Sequence, residues 1–257
     1  RPDLVKLQIG VIGHRIIKTV GLTEASLWEK FGPVDPLEKL VSVASLPSYL
    51  EVKIRLSYCA ESSEEVEKRL GDAEDMIMAS VGEWVYGKDN ETLEGKVGEL
   101  LREKDWTLAV AESCTGGLIA KRLTDQAGSS QYFLGSLVAY QNNIKISMLD
   151  VEAAVLESKG AVSREVCEAM ARSARDRFSA TYGISVTGIA GPGGGSDQKP
   201  VGLVYIGLAA WLGSLLPETI LLQLPFYLVA GVIWAFPAKY AVLWMNRPVE
   251  YAHKSDD

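Results

Sequence analysis

The chain has 257 residues, a length that suits one large domain or two small ones. Its 33 acidic and 26 basic side chains argue against a general nucleic-acid-binding protein, which is usually basic overall. The three cysteines are scattered without metal-ligand spacing, which favours a reducing compartment. His14 and His253 lie near the two ends, so a general base in the middle of the chain must be Lys, Tyr, Asp or Glu.

Residues 1–90 are predicted to form a small α+β domain. A capped helix is expected at 23–31, and two strands are expected at 40–45 and 49–57, where apolar and charged side chains alternate. A longer amphipathic helix, capped by Ser62 or Ser63, is expected at 62–85. The polar residues 87–90 are interpreted as a linker.

Residues 91–209 alternate between helical and strand-like segments. Helices are expected at 92–105, 116–128 and 163–180, and strands at 106–113, 132–142, 182–188 and 201–210. This alternation is typical of a layered α/β domain that binds ligands at the loops following its strands. The predicted fold class is therefore a three-layer α/β/α domain, preceded by the small α+β domain and followed by a hydrophobic tail.

The tail, residues 210–257, contains a long apolar segment. Thr219 to Ala238 is 20 residues without a charged side chain, which is long enough to cross a bilayer. We therefore expect membrane contact through this segment. The alternative interpretation is a buried helix pair that is broken at Pro225 and Pro237.

Three loops of the α/β domain carry residues suited to binding or chemistry. Residues 112–117 follow an apolar strand and open a helix, whose free N–H groups suit an anion. Residues 187–195 form a glycine-rich loop, and residues 128–130 precede Tyr140 and Lys145. Each has a simpler interpretation as a tight turn, a surface loop, a helix cap or a solvated lysine. Neither a P-loop nor a G-x-G-x-x-G pattern is present, but the loops together allow a serine nucleophile with a lysine base.

Several motifs occur in a characteristic order between residues 92 and 208. They are AESCTGGLIAKRLTD, AGSS, VAYQN, GAVSREV and TGIAGPGGGSDQKPVGLVYIGL. In this order they resemble the carboxy-terminal domain of CinA proteins, the nicotinamide-mononucleotide deamidases. Residues 1–90 resemble the KH-like middle domain of the same family.

The resemblance implies hydrolysis of the carboxamide of nicotinamide mononucleotide to nicotinate mononucleotide and ammonia, with no metal or cofactor. It implies Ser130 as the nucleophile and Lys145 as its base, with Tyr140 relaying the proton or polarising the amide. Ser113 is the rival nucleophile, because a strand-to-helix turn exposes a hydroxyl well. The implied substrate-binding residues are Glu112, Thr115, Gly116, Gly117, Ser129, Thr187, Gly188 and Gly191.

The resemblance also implies a small-molecule substrate, no nucleic-acid partner, a homo-oligomer and a cytoplasmic amidase domain. The chain departs from the family pattern after the last predicted strand. The family's Gly-Asp-Arg turn and final amphipathic helix have no counterpart, and the tail resembles small bacterial membrane proteins. Two alternative functions are therefore a catalytically impaired nucleotide-binding module and a membrane-tethered interaction module. Ammonia release would distinguish an active amidase from both.

Overall fold

The computed structural model describes residues 10–48 and 51–210, which contain two four-stranded sheets. The predicted apolar segment Thr219–Ala238 lies outside the described residues, as does the tail from residue 211 onward. Within the described ranges, no helix has both the length and the apolar character needed to span a membrane.

The first sheet is antiparallel throughout, in the order β2-β3-β1-β4. Helix α3 packs against it because Val66, Leu70 and Ile77 recur on one helical face and join a buried core. Ser62 caps α3 by accepting a hydrogen bond from the backbone N–H of Glu65, as predicted for one of the two serines. The elements are β1 (Val11–Val20), α1 (Glu24–Phe31), α2 (Asp35–Glu38), β2 (Ser42–Ser48), β3 (Glu51–Ala60), α3 (Ser63–Val81) and β4 (Val85–Lys88).

Two strands of this sheet were not predicted. Strand β1 mixes His14, Arg15 and Lys18 among its apolar residues, which hides the alternation, yet it pairs with β3 along its whole length. Gly87 and Lys88 were interpreted as linker residues but belong to β4, which pairs with β1. The linker prediction is therefore wrong at these two positions, because pairing across the sheet overrides their weak strand propensity.

The second sheet has the order β6-β5-β7-β8, with β6, β5 and β7 parallel and β8 antiparallel to β7. Its strands are β5 (Leu108–Glu112), β6 (Phe133–Val138), β7 (Tyr182–Gly188) and β8 (Val204–Ala210). The helices are α4 (Leu93–Glu103), α5 (Leu118–Thr124), α6 (Asn142–Leu149), α7 (Ala153–Lys159) and α8 (Arg164–Phe178). Helices α6 and α7 were not predicted, since each is only about two turns long and has no clear apolar face.

Helices cover both faces of the second sheet. Leu108 and Val110 of β5 face one cluster that includes residues of α4 and α5. Ala109 and Ala111 face the opposite cluster, which includes residues of α6, α7 and α8. Strand β5 is therefore buried on both faces, as expected of a strand inside a parallel sheet. The predicted order of helix, sheet and helix layers is confirmed.

Helix α8 lies unusually close to β7. A Cβ atom on Gly183 would be 2.1 Å from the carbonyl oxygen of Ala171 and 2.7 Å from the Cβ of Arg175. The helix backbone therefore occupies the space that a side chain at residue 183 would need. This close packing sets the height of α8 over the sheet.

Gly183→Ala is expected to lower the free energy of unfolding by about 2–4 kcal/mol, because backbone atoms of α8 must move away from β7. Urea unfolding of the purified protein measures the change. The matched control is Gly71→Ala on α3, where a Cβ meets nothing within 4 Å and the change is expected to stabilise the helix by about 0.5–1 kcal/mol. Equal effects of the two substitutions would contradict this account.

Candidate active site

The parallel strands β5, β6 and β7 end at the same side of the second sheet, called here the carboxyl edge. Glu112 at the end of β5 pairs in register with Val138 of β6 and Val186 of β7. The loops that follow the three strands therefore start next to one another. Ligands of open α/β sheets bind at such an edge.

Lys145 and Ser113 meet at the carboxyl edge. The Nζ atom of Lys145 lies 3.0 Å from Oγ of Ser113. Both side chains are buried, with 1% of Lys145 and 7% of Ser113 exposed. Ser113 is held in place because its backbone N–H donates to the carbonyl of Val186 on the neighbouring strand.

The remaining neighbours of the Lys145 amine are backbone carbonyls. Nζ lies 2.7 Å from the carbonyl oxygen of Ala139 and 3.1 Å from that of Tyr140, in the loop between β6 and α6. No carboxylate lies within ion-pairing distance of it in the part of the chain that the structure describes. Burial therefore lowers the pKa of Lys145 below the usual range of a lysine.

An ammonium at Lys145 would donate to all three oxygens, and the same neighbours also accommodate a neutral amine. A neutral lysine has two N–H groups and one lone pair, and carbonyl oxygens only accept hydrogen bonds. The carbonyls of Ala139 and Tyr140 can take the two N–H groups, which leaves the lone pair to accept the hydroxyl proton of Ser113. The arrangement can therefore generate a serine nucleophile with a lysine as its base.

Glu112 precedes Ser113 but its carboxylate turns to the other side of the loop. It is 0% exposed and accepts hydrogen bonds from the backbone N–H groups of Gly117, Ile119 and Ala120 at distances of 2.9–3.1 Å. These bonds satisfy donors of the first turn of α5 that no helical carbonyl can reach. The predicted role of Glu112 in substrate binding is therefore corrected: its carboxylate is enclosed and holds the loop that carries Ser113.

Ser129 and Ser130 lie away from Lys145. They belong to a 3-10 turn, Ser129–Gln131, that leads into the start of β6, whereas Ala139 follows its end. The six-residue strand between them spans about 20 Å. The predicted pairing of Ser130 with Lys145 is therefore corrected within this chain, as is the placement of Ser129 at the same site.

Tyr140 was predicted to relay the proton or polarise the amide, and Thr187 was predicted to bind substrate. The Tyr140 side chain is 67% exposed, and its backbone carbonyl, rather than its phenol, contacts Lys145. Thr187 is buried, and its hydroxyl donates to the carbonyl of Ala161 at 3.0 Å, so it fixes the loop before α8. A contact of Tyr140 with substrate stays a prediction.

The glycines of the site allow neighbouring segments to approach each other closely and allow the backbone to adopt left-handed conformations. A Cβ on Gly188 would lie 3.1 Å from Sγ of Cys114 and 2.8 Å from the carbonyl of Leu203, so only glycine fits between them. Positive φ angles occur at Gly116 (62°), Gly117 (99°) and Gly191 (73°). Substrate binding by these glycines and by Thr115 stays a prediction.

Cys114 lies beside Ser113 but is unsuited to be the nucleophile. Burial raises the pKa of its thiol to about 11, so the thiol stays protonated near neutral pH. The reactive form of a cysteine is the thiolate. Of Cys114 and Ser113, the Ser113 hydroxyl is therefore the better candidate nucleophile, because the Lys145 amine lies beside it.

The fold and the site define a layered α/β protein with a buried serine–lysine pair at the carboxyl edge of its parallel strands. Comparison with known families agrees with this architecture. The model of the CinA C-terminal domain matches residues 90–219, and the model of the damage-inducible protein CinA KH domain matches residues 14–87. The chain belongs to the CinA family, as the sequence motifs predicted. A model described as a protein of unknown function (DUF2842) matches residues 201–248.

Two relatives with similar sequences support the same assignment. A CinA-like protein of Cytophaga hutchinsonii is 44% identical over 205 residues, covering 79% of this chain and 49% of the relative. A CinA-like protein of Trichodesmium erythraeum is 47% identical over 200 residues, covering 78% of this chain and 47% of the relative. The chain thus spans about half the length of these relatives. The crystal structure of the competence/damage inducible protein CihA from Agrobacterium tumefaciens is 35% identical, covering 60% of this chain and 94% of that one, with a TM-score of 0.48.

Glu112→Gln is expected to lower the free energy of unfolding by about 1–3 kcal/mol. The amide NH₂ that replaces one carboxylate oxygen cannot accept a hydrogen bond, so at least one backbone N–H group at the start of α5 loses its acceptor. Thermal or urea unfolding measures the effect. Glu157→Gln on the exposed face of α7 is the control and is expected to change stability by less than about 0.5 kcal/mol. An unchanged stability of Glu112→Gln would refute the capping role.

Proposed function

We propose that this chain hydrolyses the carboxamide of nicotinamide mononucleotide to nicotinate mononucleotide and ammonia. Ser113 is the nucleophile and Lys145 is its base. The observation that carries the proposal is the 3.0 Å contact between Nζ of Lys145 and Oγ of Ser113 at a buried position. The choice of substrate rests on the resemblance of residues 92–208 to CinA carboxy-terminal domains.

The first half of the reaction forms an ester. Oγ of Ser113 attacks the carboxamide carbon while its proton moves to Nζ of Lys145. The resulting ammonium of Lys145 returns this proton to the amide nitrogen, the C–N bond breaks, and ammonia leaves. The acyl group remains attached to Ser113.

The second half of the reaction regenerates the serine. A water molecule gives a proton to the neutral Lys145 amine and attacks the ester carbon. The C–O bond to Ser113 breaks, and Lys145 protonates the departing oxygen. The net change is one amide and one water converted to one carboxylic acid and one ammonia.

The choice of a lysine base is supported by the position of His14. His14 lies in the first sheet, where Nδ1 is 2.8 Å from Oγ of Ser57, and His253 lies outside the described residues. The hydrogen bonds of Lys145 to two carbonyls fix its amine, and no carboxylate among the described residues forms an ion pair with it. Such a fixed, desolvated amine is the form in which lysine acts as a base near neutral pH.

Ser113→Ala and Lys145→Ala are each expected to reduce ammonia release from nicotinamide mononucleotide at least about 1000-fold, because each removes one partner of the proton transfer. An enzyme-coupled ammonia assay on the purified full chain measures the rate. Ser130→Ala is the matched control and is expected to retain activity within about threefold, since Ser130 is exposed beyond the opposite end of β6.

The result that would overturn the assignment is the reverse pattern, with activity lost in Ser130→Ala and kept in Ser113→Ala. Absence of ammonia release from the unsubstituted chain would refute the amidase proposal itself. Circular dichroism of each variant separates loss of chemistry from loss of fold.

The pH profile tests the state of Lys145. The base must be neutral, so kcat/KM is expected to rise as pH increases through the pKa of Lys145 and then to reach a plateau. Because burial lowers this pKa, the rise is expected below the pH at which an exposed lysine titrates. A profile that still rises steeply up to the pH range of an ordinary lysine would contradict the proposed base.

A further inference from the structure

The proposed substrate raises the question of where its phosphate binds, and the inference here rests on the proposed function. The carboxamide and the phosphate stand at opposite ends of nicotinamide mononucleotide. With the carboxamide at Ser113, the phosphate must therefore bind elsewhere along the carboxyl edge. A phosphate usually binds to free backbone N–H groups together with a cationic side chain.

The start of α5 is unsuited to this phosphate although its sequence favoured an anion site. The backbone N–H groups of Gly117, Ile119 and Ala120 already donate to Glu112, and that of Leu118 donates to the carbonyl of Thr115. The buried Glu112 carboxylate also brings one negative charge to the helix terminus. A phosphate there would lack free helical donors and would be repelled.

The glycine-rich loop after β7 offers the donors that α5 lacks. The backbone N–H groups of Gly193, Gly194 and Gly195 have no acceptor among the described residues, and all three glycines are exposed. The loop is nevertheless anchored at both ends. Ile189 and Gly202 are joined to the opposite side of the loop by backbone hydrogen bonds, and Ser196 and Lys199 close a turn between them.

Lys199 supplies a cation on the same loop. Its Nζ donates to the carbonyl of Lys159 at the end of α7, with a distance of 2.6 Å, which fixes the position of the ammonium. No ion pair joins it to a carboxylate in the described ranges. Two of its three N–H groups therefore remain available for an anion.

A continuous set of contacts connects Lys199 to Ser113. The position of a Cβ on Gly160 lies 3.2 Å from Nζ of Lys199, and the next residue, Ala161, accepts the Thr187 hydroxyl. Gly188 then follows Thr187, and a Cβ there would lie 3.1 Å from Sγ of Cys114, next to Ser113. Lys199 is thus linked to the Ser113 region through the segment between α7 and α8 and the end of β7.

We propose that the phosphate of the substrate binds at Lys199 and the free N–H groups of Gly193–Gly195. This site makes the chain select nucleotides over nucleosides. Asp197 lies exposed on the same loop, so its carboxylate opposes an anion and moderates the affinity.

The experiment compares nicotinamide mononucleotide with nicotinamide riboside, which has the same carboxamide and ribose but no phosphate. In the full chain, Lys199→Gln is expected to raise KM for the mononucleotide about 10-fold and KM for the riboside by about twofold or less. Lys199→Arg keeps the positive charge and is expected to stay within about threefold of the unsubstituted chain for both substrates. Asp197→Asn removes a negative charge and is expected to lower KM for the mononucleotide.

An equal effect of Lys199→Gln on both substrates, or no effect on either, would overturn the phosphate site. Should the unsubstituted chain release no ammonia from either compound, the proposed function fails, and calorimetric titration with inorganic phosphate then tests the site alone. Phosphate binding that weakens about 10-fold in Lys199→Gln supports the site, and binding that is absent or unchanged by this substitution refutes it.

Discussion

The amine of Lys145 lies between two backbone carbonyls and the Ser113 hydroxyl, out of reach of solvent and of any described carboxylate. Placing a charged ammonium there would cost free energy, because water is excluded and no counter-ion compensates for it. The neutral amine avoids this cost and is also the form that accepts a proton. The chemical proposal therefore depends on burial, which lowers the pKa of Lys145 and so favours the neutral amine that a base requires.

The consecutive residues Glu112 and Ser113 have separate tasks at the end of β5. Glu112 turns towards α5 and satisfies the backbone donors of its first turn, while Ser113 turns towards Lys145. The buried carboxylate therefore sets the path of the loop that carries Ser113, the proposed nucleophile. It also removes the helix terminus as an anion site, which leaves the glycine-rich loop and Lys199 as the better place for a phosphate.

The sequence predicts the layered domain well because the apolar strands and capped helices around β5 have strong periodic patterns. It also names Lys145 as a candidate base, with Ser130 as the nucleophile that the resemblance implies and Ser113 as its rival. It cannot choose between Ser113 and Ser130, because that choice depends on which end of β6 each serine reaches, and strand direction is a tertiary property. The capping role of Glu112 was not predicted, because the direction in which its side chain turns is also a tertiary property. A Glu before a glycine turn at a helix start is nevertheless a signal for such a cap.

The assignment of Ser113 is tested most directly by identifying the residue that carries the acyl group. The full chain is mixed with nicotinamide mononucleotide, quenched in acid during turnover and digested with trypsin, and the peptides are analysed by mass spectrometry. Cleavage after lysine and arginine places Ser113 in the peptide 105–121, and Ser129 and Ser130 in the peptide 123–145. The account predicts the nicotinoyl nucleotide adduct on peptide 105–121, and an adduct on peptide 123–145 would contradict it.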